Sequence, residues 1–275
     1  MLSNMDLTLK KFKMDWIKDD ETVVLIGKRN TGKSFLTKDL LYHHQSIPIG
    51  TVISGTESAN SFYSDIIPKL FIHDEYSEEI LGKILKRQKK ITKRLGDPDS
   101  GNLDPRAFLI MDDCLYDNGW QKSKFIREVF MNGRHWKLMF ILTMQFALGV
   151  PPNLRTNIDW VFILRENFIN NRKRLYEHYA GMFPTFEMFC KVMDDCTANY
   201  ECLVIHNGSK SNKIEEQVYW YKAQPHEDFK IGSPKIWEYS EKNCVEEEEE
   251  YDETDINNYR FGKKKHPNLI VKKKL

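Results

Sequence analysis

Short apolar runs recur along the chain and alternate with segments that carry apolar residues at helical spacing. Several runs are apolar throughout instead of alternating, which is typical of strands covered on both faces. Strands that alternate with helices indicate a three-layer α/β domain with a mostly parallel central sheet. The predicted strands cover residues 21–26, 50–54, 69–72, 107–111, 138–143, 160–164, 201–205 and 218–221, and the last is predicted to be an edge strand.

One predicted helix, residues 80–95, is strongly basic. Ile80, Ile84, Ile91 and Leu95 fall on one of its faces. The basic residues elsewhere on the segment are Lys86, Arg87, Lys89, Lys90, Lys93 and Arg94. Such a surface can contact nucleic-acid phosphates, which require only positive charge, or it can stay solvated, which is the commoner case.

The overall composition changes this picture little. The chain has 275 residues, enough for one large α/β domain, and its net charge of +1 creates no global field that selects nucleic acid. The N-terminus lacks a basic start followed by an apolar core, and no apolar run approaches the roughly 20 residues of a membrane span. We therefore expect a protein that is neither secreted nor membrane-spanning.

The C-terminal part of the chain differs in character. Five consecutive glutamates at 246–250 are followed by lysine triplets at 263–265 and 272–274. Blocks of like charge repel one another and bury little surface, so they favour disorder. The sequence therefore predicts one folded domain over residues 1–226 and a charged, largely disordered tail over residues 227–275.

Five cysteines, an odd number without a C-x-x-C pair, indicate reduced thiols. Cys190, Cys196 and Cys202 precede His206 and raise the question of a zinc site. Their spacing is not that of a common zinc motif, and packing of the thiols is the favoured interpretation.

The most specific motif is the octapeptide 27–34, which has the pattern G-x-x-x-x-G-K-[ST]. It lies between a predicted strand and a predicted helix, as a phosphate-binding loop of the Walker A type requires. Its glycines permit close backbone approach, and the helix N-terminus attracts phosphate. Lys33 is predicted to reach the β- and γ-phosphates of ATP, and Ser34 to hold Mg²⁺. The predicted nucleotide-binding residues are Gly27, Lys28, Arg29, Asn30, Thr31, Gly32, Lys33 and Ser34.

Two acids end the predicted strand 107–111, at the edge where a phosphate loop needs an acidic partner. Asp112 is predicted to hold Mg²⁺, directly or through water. Asp113 is predicted to orient and deprotonate the attacking water. Two solvated acids at a strand end are the alternative interpretation.

Three further residues complete the predicted catalytic set or compete for a place in it. Gln145 ends the next strand, where its amide would face the γ-phosphate, although an ordinary strand-ending Gln is an equal alternative. Arg155 and Arg134 each precede a predicted strand, and either is a candidate arginine finger for a neighbouring subunit's γ-phosphate. Arg155 is the preferred one.

Together these motifs resemble the DNA-packaging ATPases of nucleocytoplasmic large DNA viruses, within the FtsK–HerA group of P-loop ATPases. The resemblance runs from about residue 20 to residue 206. The phosphate loop alone is shared by very many NTPases, whereas the Asp-Asp-Cys strand end, the Gly-Arg-His turn and the strand-end Gln in this order are more selective. The matching segments are 27–34, 109–114, 132–135, the strand that ends in Gln145, and 154–159.

The resemblance implies a RecA-like P-loop fold of the ASCE type and a homo-oligomeric ring. Such a ring hydrolyses ATP between subunits and drives double-stranded DNA into a capsid, with a capsid or portal protein as partner. It also implies a place in the host cytoplasm, at the viral factory or with the virion. The alternatives are a P-loop nucleotide or nucleoside kinase, with Arg165, Arg172 and Arg174 as a lid, and a nucleotide-dependent binding module.

Overall fold

The computed structural model describes residues 7–95, 97, 101–114, 120, 122–146 and 150–244. Within this part of the chain, nine strands form one sheet in the order β1-β9-β8-β7-β2-β6-β5-β3-β4. The strands from β7 to β4 in this order run parallel, whereas β8 is antiparallel to both β7 and β9. The strands are β1 (Lys10–Lys11), β2 (Thr22–Ile26), β3 (Gly50–Ser54), β4 (Ile72–His73), β5 (Ala107–Asp112), β6 (Leu138–Met144), β7 (Trp160–Ile163), β8 (Glu201–His206) and β9 (Val218–Lys222).

Helices cover both faces of this sheet. Hydroxyl side chains cap three of them: Ser77, Ser123 and Thr185 each accept a hydrogen bond from a backbone amide in the first turn of the helix that follows. No helix in the described residues combines the length and the apolar character needed to cross a bilayer. The helices are α1 (Lys33–His43), α2 (Glu57–Asn60), α3 (Glu78–Arg94), α4 (Lys124–Asn132), α5 (Pro152–Arg155), α6 (Ile169–Tyr179), α7 (Phe186–Cys196) and α8 (Pro234–Asn243).

Two apolar cores lie on opposite faces of the sheet, and β2 contributes to both. Val24 and Ile26 join the core that includes residues of α3, α4, α6 and α7, while Val23 and Leu25 join the core that includes α1. All five residues of β2 are buried, as the continuously apolar run predicts. The predicted three-layer, mostly parallel α/β fold is confirmed.

Two strand predictions differ from the structure. Of the predicted strand 69–72, only Ile72 lies in β4, because residues 69–71 make a 3-10 turn directly after Pro68. The strand at 218–221 is not at the edge, since β1 pairs with β9 on its outer side. A two-residue strand made of Lys10 and Lys11 carries no apolar pattern, so periodicity could not reveal it.

The buried face of the basic helix α3 also differs from the predicted one. Leu81, Ile84, Leu85 and Gln88 form the buried stripe of α3, whereas Leu95 is exposed. The helix ends before Leu95, and the buried face lies to one side of the stripe predicted from the isoleucines alone.

The structure also describes residues 227–244, the first part of the predicted charged tail. Residues 227–244 include α8, whose Ser240 hydroxyl accepts a hydrogen bond from Leu70 N at 3.1 Å. Ile231 is buried, and Trp237 Nε1 donates to its carbonyl oxygen at 3.0 Å. These apolar residues, set among charged ones, attach the segment to the domain. Residues 245–275 lie outside the described part of the chain, and their disorder stays a prediction.

Candidate nucleotide-binding site

The octapeptide 27–34 connects β2 to α1, as predicted. A Cβ atom added to Gly27 would lie 2.7 Å from Thr31 Oγ1 and 2.9 Å from Leu164 Cβ, so only glycine fits there. Gly32, with φ of +95°, precedes the first residue of α1 in a left-handed conformation that glycine adopts without strain. The local structure thus requires glycine at Gly27 and Gly32, the same two positions at which the phosphate-binding motif requires it.

The other predicted loop residues share this turn. Thr31 Oγ1 donates to Lys28 O at 2.7 Å, and Asn30 has φ of +62°. Arg29 and Asn30 are exposed, and Ser34 is exposed in the first turn of α1. The first-turn amides of α1 and the Ser34 hydroxyl are therefore available to a ligand.

The strand order brings the predicted catalytic side chains to this loop. Strand β6 lies between β2 and β5, with Ile26 opposite Met144 and Asp112 opposite Thr143. The parallel strands therefore end at one edge, and the residues after them meet there.

Three of these side chains form one cluster. Lys33 Nζ donates to both carboxylate oxygens of Asp113, at 2.5 and 2.6 Å. Gln145 Nε2 donates to Asp113 Oδ2 at 3.1 Å. Lys33 is 8% exposed and Gln145 is half-buried, so the cluster is largely shielded from water.

Asp113 adopts an unusual backbone conformation at this point. Its φ of +48° is left-handed, a region in which Asp is better tolerated than most residues. Its amide donates to Thr143 Oγ1 at 3.2 Å, which fixes the turn that aims the carboxylate at Lys33.

Asp112, unlike Asp113, is almost fully buried. Tyr63 donates its hydroxyl hydrogen to Asp112 Oδ2 at 2.9 Å, and Thr143 donates to Asp112 Oδ1. Burial raises the pKa of Asp112 above the ordinary carboxyl value, against the opposing effect of these two hydrogen bonds. A buried carboxylate of this kind favours a nearby cation.

Sequence patterns did not reveal Tyr63, Thr143 or Glu166 as members of the site. Lys28 forms an ion pair with Glu166, and its Nζ lies 3.8 Å from the centroid of the Phe168 ring. Burial opposes ionisation of Glu166, but hydrogen bonds from Lys28, Phe168 N and Asn171 hold its pKa below the ordinary value. The signal in the sequence is an acid three residues beyond a buried strand, which is common and therefore weak.

Exposed aromatic side chains surround the phosphate loop. Gly32 faces Tyr200, which is 70% exposed. Phe146 follows Gln145 directly, and Phe168 covers Lys28. Phe35, on the first turn of α1, is also about half exposed. So many exposed rings at one edge indicate a surface that a ligand or another protein covers.

The two candidate arginine fingers lie at the opposite edge. Arg155 and Arg134 precede β7 and β6, which run parallel to β2, so both are far along the strands from the phosphate loop of the same chain. Arg155 is half-buried, donates to His178 O at 3.4 Å, and lies 5.9 Å from the centroid of Tyr179. Arg134 forms an exposed ion pair with Asp159.

Of the three arginines of the alternative kinase lid, Arg172 does not have the exposed position of a lid residue. Arg172 is buried, and its guanidinium donates to Glu166 O at 2.6 Å and to Asp194 at 2.5 Å. It therefore stabilises the packing of α6 on α7. The cysteines do not converge with His206 either: Cys202 lies in the core on one face, and Cys196 packs on the other.

Comparisons with known proteins agree with this geometry. The chain is 43% identical to protein L437 of Acanthamoeba polyphaga mimivirus over 219 residues, which is 78% of this chain and 77% of that protein. It is 44% identical to protein 075L of Invertebrate iridescent virus 6 over 228 residues, 82% of this chain and 86% of that one. Protein 015R of Frog virus 3 is 34% identical and is matched over 82% of this chain and 69% of its own length.

The chain belongs to this family of proteins of large DNA viruses. No family model matches it. The relationship predicted from the motifs, to the DNA-packaging ATPases of nucleocytoplasmic large DNA viruses, is confirmed.

Solved structures show that the family has the fold of P-loop ATPases. The genome packaging NTPase B204 of Sulfolobus turreted icosahedral virus 2, in complex with ATPγS, matches 75% of this chain and 98% of its own with a TM-score of 0.52 and 21% identity. The pCW3 conjugation coupling protein TcpA, with ATPγS, matches 74% of this chain and 60% of its own with a TM-score of 0.54 and 13% identity.

Proposed function

We propose that this protein hydrolyses ATP and uses the energy to drive double-stranded viral DNA into a capsid, with a capsid or portal protein as partner. The observation that carries this proposal is the cluster of Lys33, Asp113 and Gln145 beside the buried Asp112. A cation on the phosphate loop, a free carboxylate and a neutral amide are what attack of water on a γ-phosphate needs.

Lys33 and Asp113 would exchange partners when ATP binds. The ammonium group of Lys33 would leave the Asp113 carboxylate for the β- and γ-phosphates, which offer it more negative charge. Asp113 would then be free to accept a proton from the attacking water, while Gln145 keeps it oriented through the hydrogen bond to Oδ2. The ion pair thus holds the base inactive until the substrate arrives.

The oxygen donors of this site suit Mg²⁺. The Ser34 hydroxyl and the Asp112 carboxylate are the hard ligands that this ion prefers, and Asp112 is buried without a basic partner of its own in the described residues. Mg²⁺ held there would neutralise charge on the phosphate oxygens. Thr143 and Tyr63 would keep the carboxylate oriented by donating to it.

Assembly into a ring is the second part of the proposal. The phosphate loop and the candidate arginines lie at opposite edges of the sheet, so an arginine can act on a γ-phosphate only in another copy. A head-to-tail arrangement closes into a ring when its rotation permits. The exposed Phe35, Phe146, Phe168 and Tyr200 would be covered there by the nucleotide base or by the neighbouring copy.

The DNA surface that we propose lies on α3. Lys86, Lys90 and Lys93 line one groove with Phe125. Lys89 lines the same groove, but it is ion-paired with Glu128 and lies 4.6 Å from the centroid of Trp136. Phosphate contacts from the three lysines would track the duplex without reading its sequence.

The proposal is tested by measuring phosphate release from ATP with and without double-stranded DNA, together with the mass in solution. We expect an oligomer whose rate rises with DNA. Replacing Lys86, Lys90 and Lys93 with Ala should abolish that rise and leave the DNA-free rate unchanged. Lys83→Ala is the matched control, because Lys83 is exposed on the same helix and pairs with Glu79. DNA-independent turnover in the oligomer contradicts the motor, and phosphoryl transfer to a nucleoside monophosphate favours a kinase.

A further inference from the structure

A second cluster of potential ligands lies at the other end of α1 from the phosphate loop. Asp39 and His43 are four residues apart on α1 and therefore lie on the same side of the helix. His226, in the segment after β9, completes the cluster. One atom from each of the three side chains lies within 4.8 Å of the other two.

The charge of Asp39 is the feature that needs explanation. This residue is 1% exposed, and within the described residues no Lys or Arg side chain lies within 4 Å of its carboxylate. Its Oδ2 accepts hydrogen bonds from Tyr221 OH at 2.6 Å and Gln224 N at 2.9 Å. Its Oδ1 instead faces two imidazoles, His226 Nε2 at 2.6 Å and His43 Nε2 at 3.6 Å. A buried carboxylate is stable when a cation compensates it.

Each of the three side chains is held in place by a further contact. His43 Nδ1 lies 3.1 Å from Asp15 Oδ1, so the Asp15 carboxylate fixes Nδ1 as the protonated nitrogen and leaves Nε2 free to bind a metal. The ring of His226 stacks on Tyr42 with centroids 3.7 Å apart. A metal-binding histidine is commonly oriented by a carboxylate, as Asp15 orients His43.

We propose that Asp39, His43 and His226 bind Zn²⁺, with water as the fourth ligand. In a tetrahedral site the ligand atoms are separated by about 3.4 Å. The 3.6 Å between His43 Nε2 and Asp39 Oδ1 fits this spacing, and the contact from His226 needs to lengthen by less than about 1 Å. One carboxylate and two imidazoles are a common donor set for zinc, and His43 is accessible enough to admit the ion.

The ion would attach the segment after β9 to the helix that carries the phosphate loop. This segment continues to the buried Ile231, whose amide donates to Ile66 O at 2.8 Å. Asp39 lies six residues along α1 from Lys33, about 9 Å at 1.5 Å per residue. The site would therefore stabilise α1 without contacting the nucleotide.

The test measures zinc bound by the full-length, chelator-treated protein in excess Mg²⁺, by calorimetric titration and elemental analysis, with thermal unfolding alongside. We expect one Zn²⁺ per chain and a Tm that rises by several degrees when zinc is added. His43→Gln and His226→Gln should each weaken binding at least tenfold and remove the rise in Tm. His206→Gln is the control, since His206 stacks on Trp160 outside the cluster. His43 is at the surface, so its variant should fold.

Cobalt separates this site from the thiols. Co²⁺ in the proposed site should give the visible absorption of a tetrahedral ion with nitrogen and oxygen ligands and no thiolate charge-transfer band. A thiolate band would contradict the proposal, as would zinc stoichiometry that survives both histidine substitutions or no binding at micromolar zinc. In those cases the hydrogen bonds from Tyr221 and Gln224 hold the buried Asp39 carboxylate without a metal ion.

Discussion

The charged residues at the two edges of the central sheet are used differently. At the edge where the parallel strands begin, charges form fixed pairs: Arg134 with Asp159, Lys137 with Asp20, and Arg106 with Asp19. Asp159 also accepts a hydrogen bond from Thr22 N at 2.9 Å. At the edge where the strands end, Lys33 and Gln145 both converge on Asp113.

The difference shows which charges are structural and which can change partners. The pairs at the first edge join residues that come just before different strands of the sheet, so their partners are set by the fold. The cluster at the second edge borders a loop with two positive-φ residues and exposed aromatic rings, into which a ligand can enter. Matched substitutions at the two edges should therefore separate activity from stability.

Lys33→Ala should have the largest effect. It removes the cation that would bind the β- and γ-phosphates, so we expect turnover below detection and ATP affinity reduced by at least tenfold. Lys137→Ala, which removes a lysine paired with Asp20 at the other edge, should leave turnover within about twofold. Phosphate release and nucleotide binding by both variants provide the measurement. Equal loss in the two would contradict the distinction between the edges.

Asp113→Asn should slow hydrolysis about 10³-fold with ATP binding retained, because an amide cannot accept the proton from water. The amide also no longer neutralises Lys33, so nucleotide affinity should rise slightly. Single-turnover hydrolysis and equilibrium binding distinguish the two effects. Wild-type turnover in this variant would remove Asp113 from the mechanism.

The sequence predicted this edge better than it predicted the rest of the molecule. Asp112 ends a continuously buried strand, and the loop 27–34, Asp113 and Gln145 come directly after such strands. Parallel strands necessarily end together. Contacts between distant segments could not be predicted from local sequence patterns. Nothing in these patterns indicates that the Tyr63 hydroxyl donates to Asp112, 49 residues away. The same limit explains why β1 and the pairing of α8 with the domain were missed.

Substitution of the candidate arginine fingers should give a smaller effect on turnover. Arg155→Ala should reduce turnover about 10²-fold, as loss of one donor to transition-state charge commonly does. In rings that mix Arg155→Ala with Lys33→Ala subunits, the loss of Arg155 should slow hydrolysis only at the phosphate loop of the neighbouring subunit that this arginine would face. Arg134→Ala, which loses an exposed ion pair with Asp159, should instead change Tm slightly. If Arg134→Ala shows the turnover defect and Arg155→Ala does not, the finger is Arg134.

Asp112→Asn should give a small effect on stability, a gain, although the loss of a proposed Mg²⁺ ligand should lower activity. Because burial raises the pKa of Asp112 in the folded chain, the folded protein holds this proton at pH values where the unfolded chain has lost it. That stabilisation is complete below the ordinary carboxyl pKa of about 4 and is lost as pH rises through the raised value. At neutral pH the wild type therefore carries the unfavourable buried charge that Asn lacks.

Thermal unfolding of Asp112→Asn at several pH values tests this directly. We expect Tm to rise by roughly 2–4 °C at neutral pH, which corresponds to about 1 kcal/mol in a domain of this size, and the difference to vanish below about pH 4. Asp159→Ala at the other edge should lower Tm at neutral pH, since it removes the partner of Arg134 and the acceptor of Thr22 N. If both variants shift Tm in the same direction, Asp112 is a structural residue like Asp159. Its burial then does not support a cation-binding site.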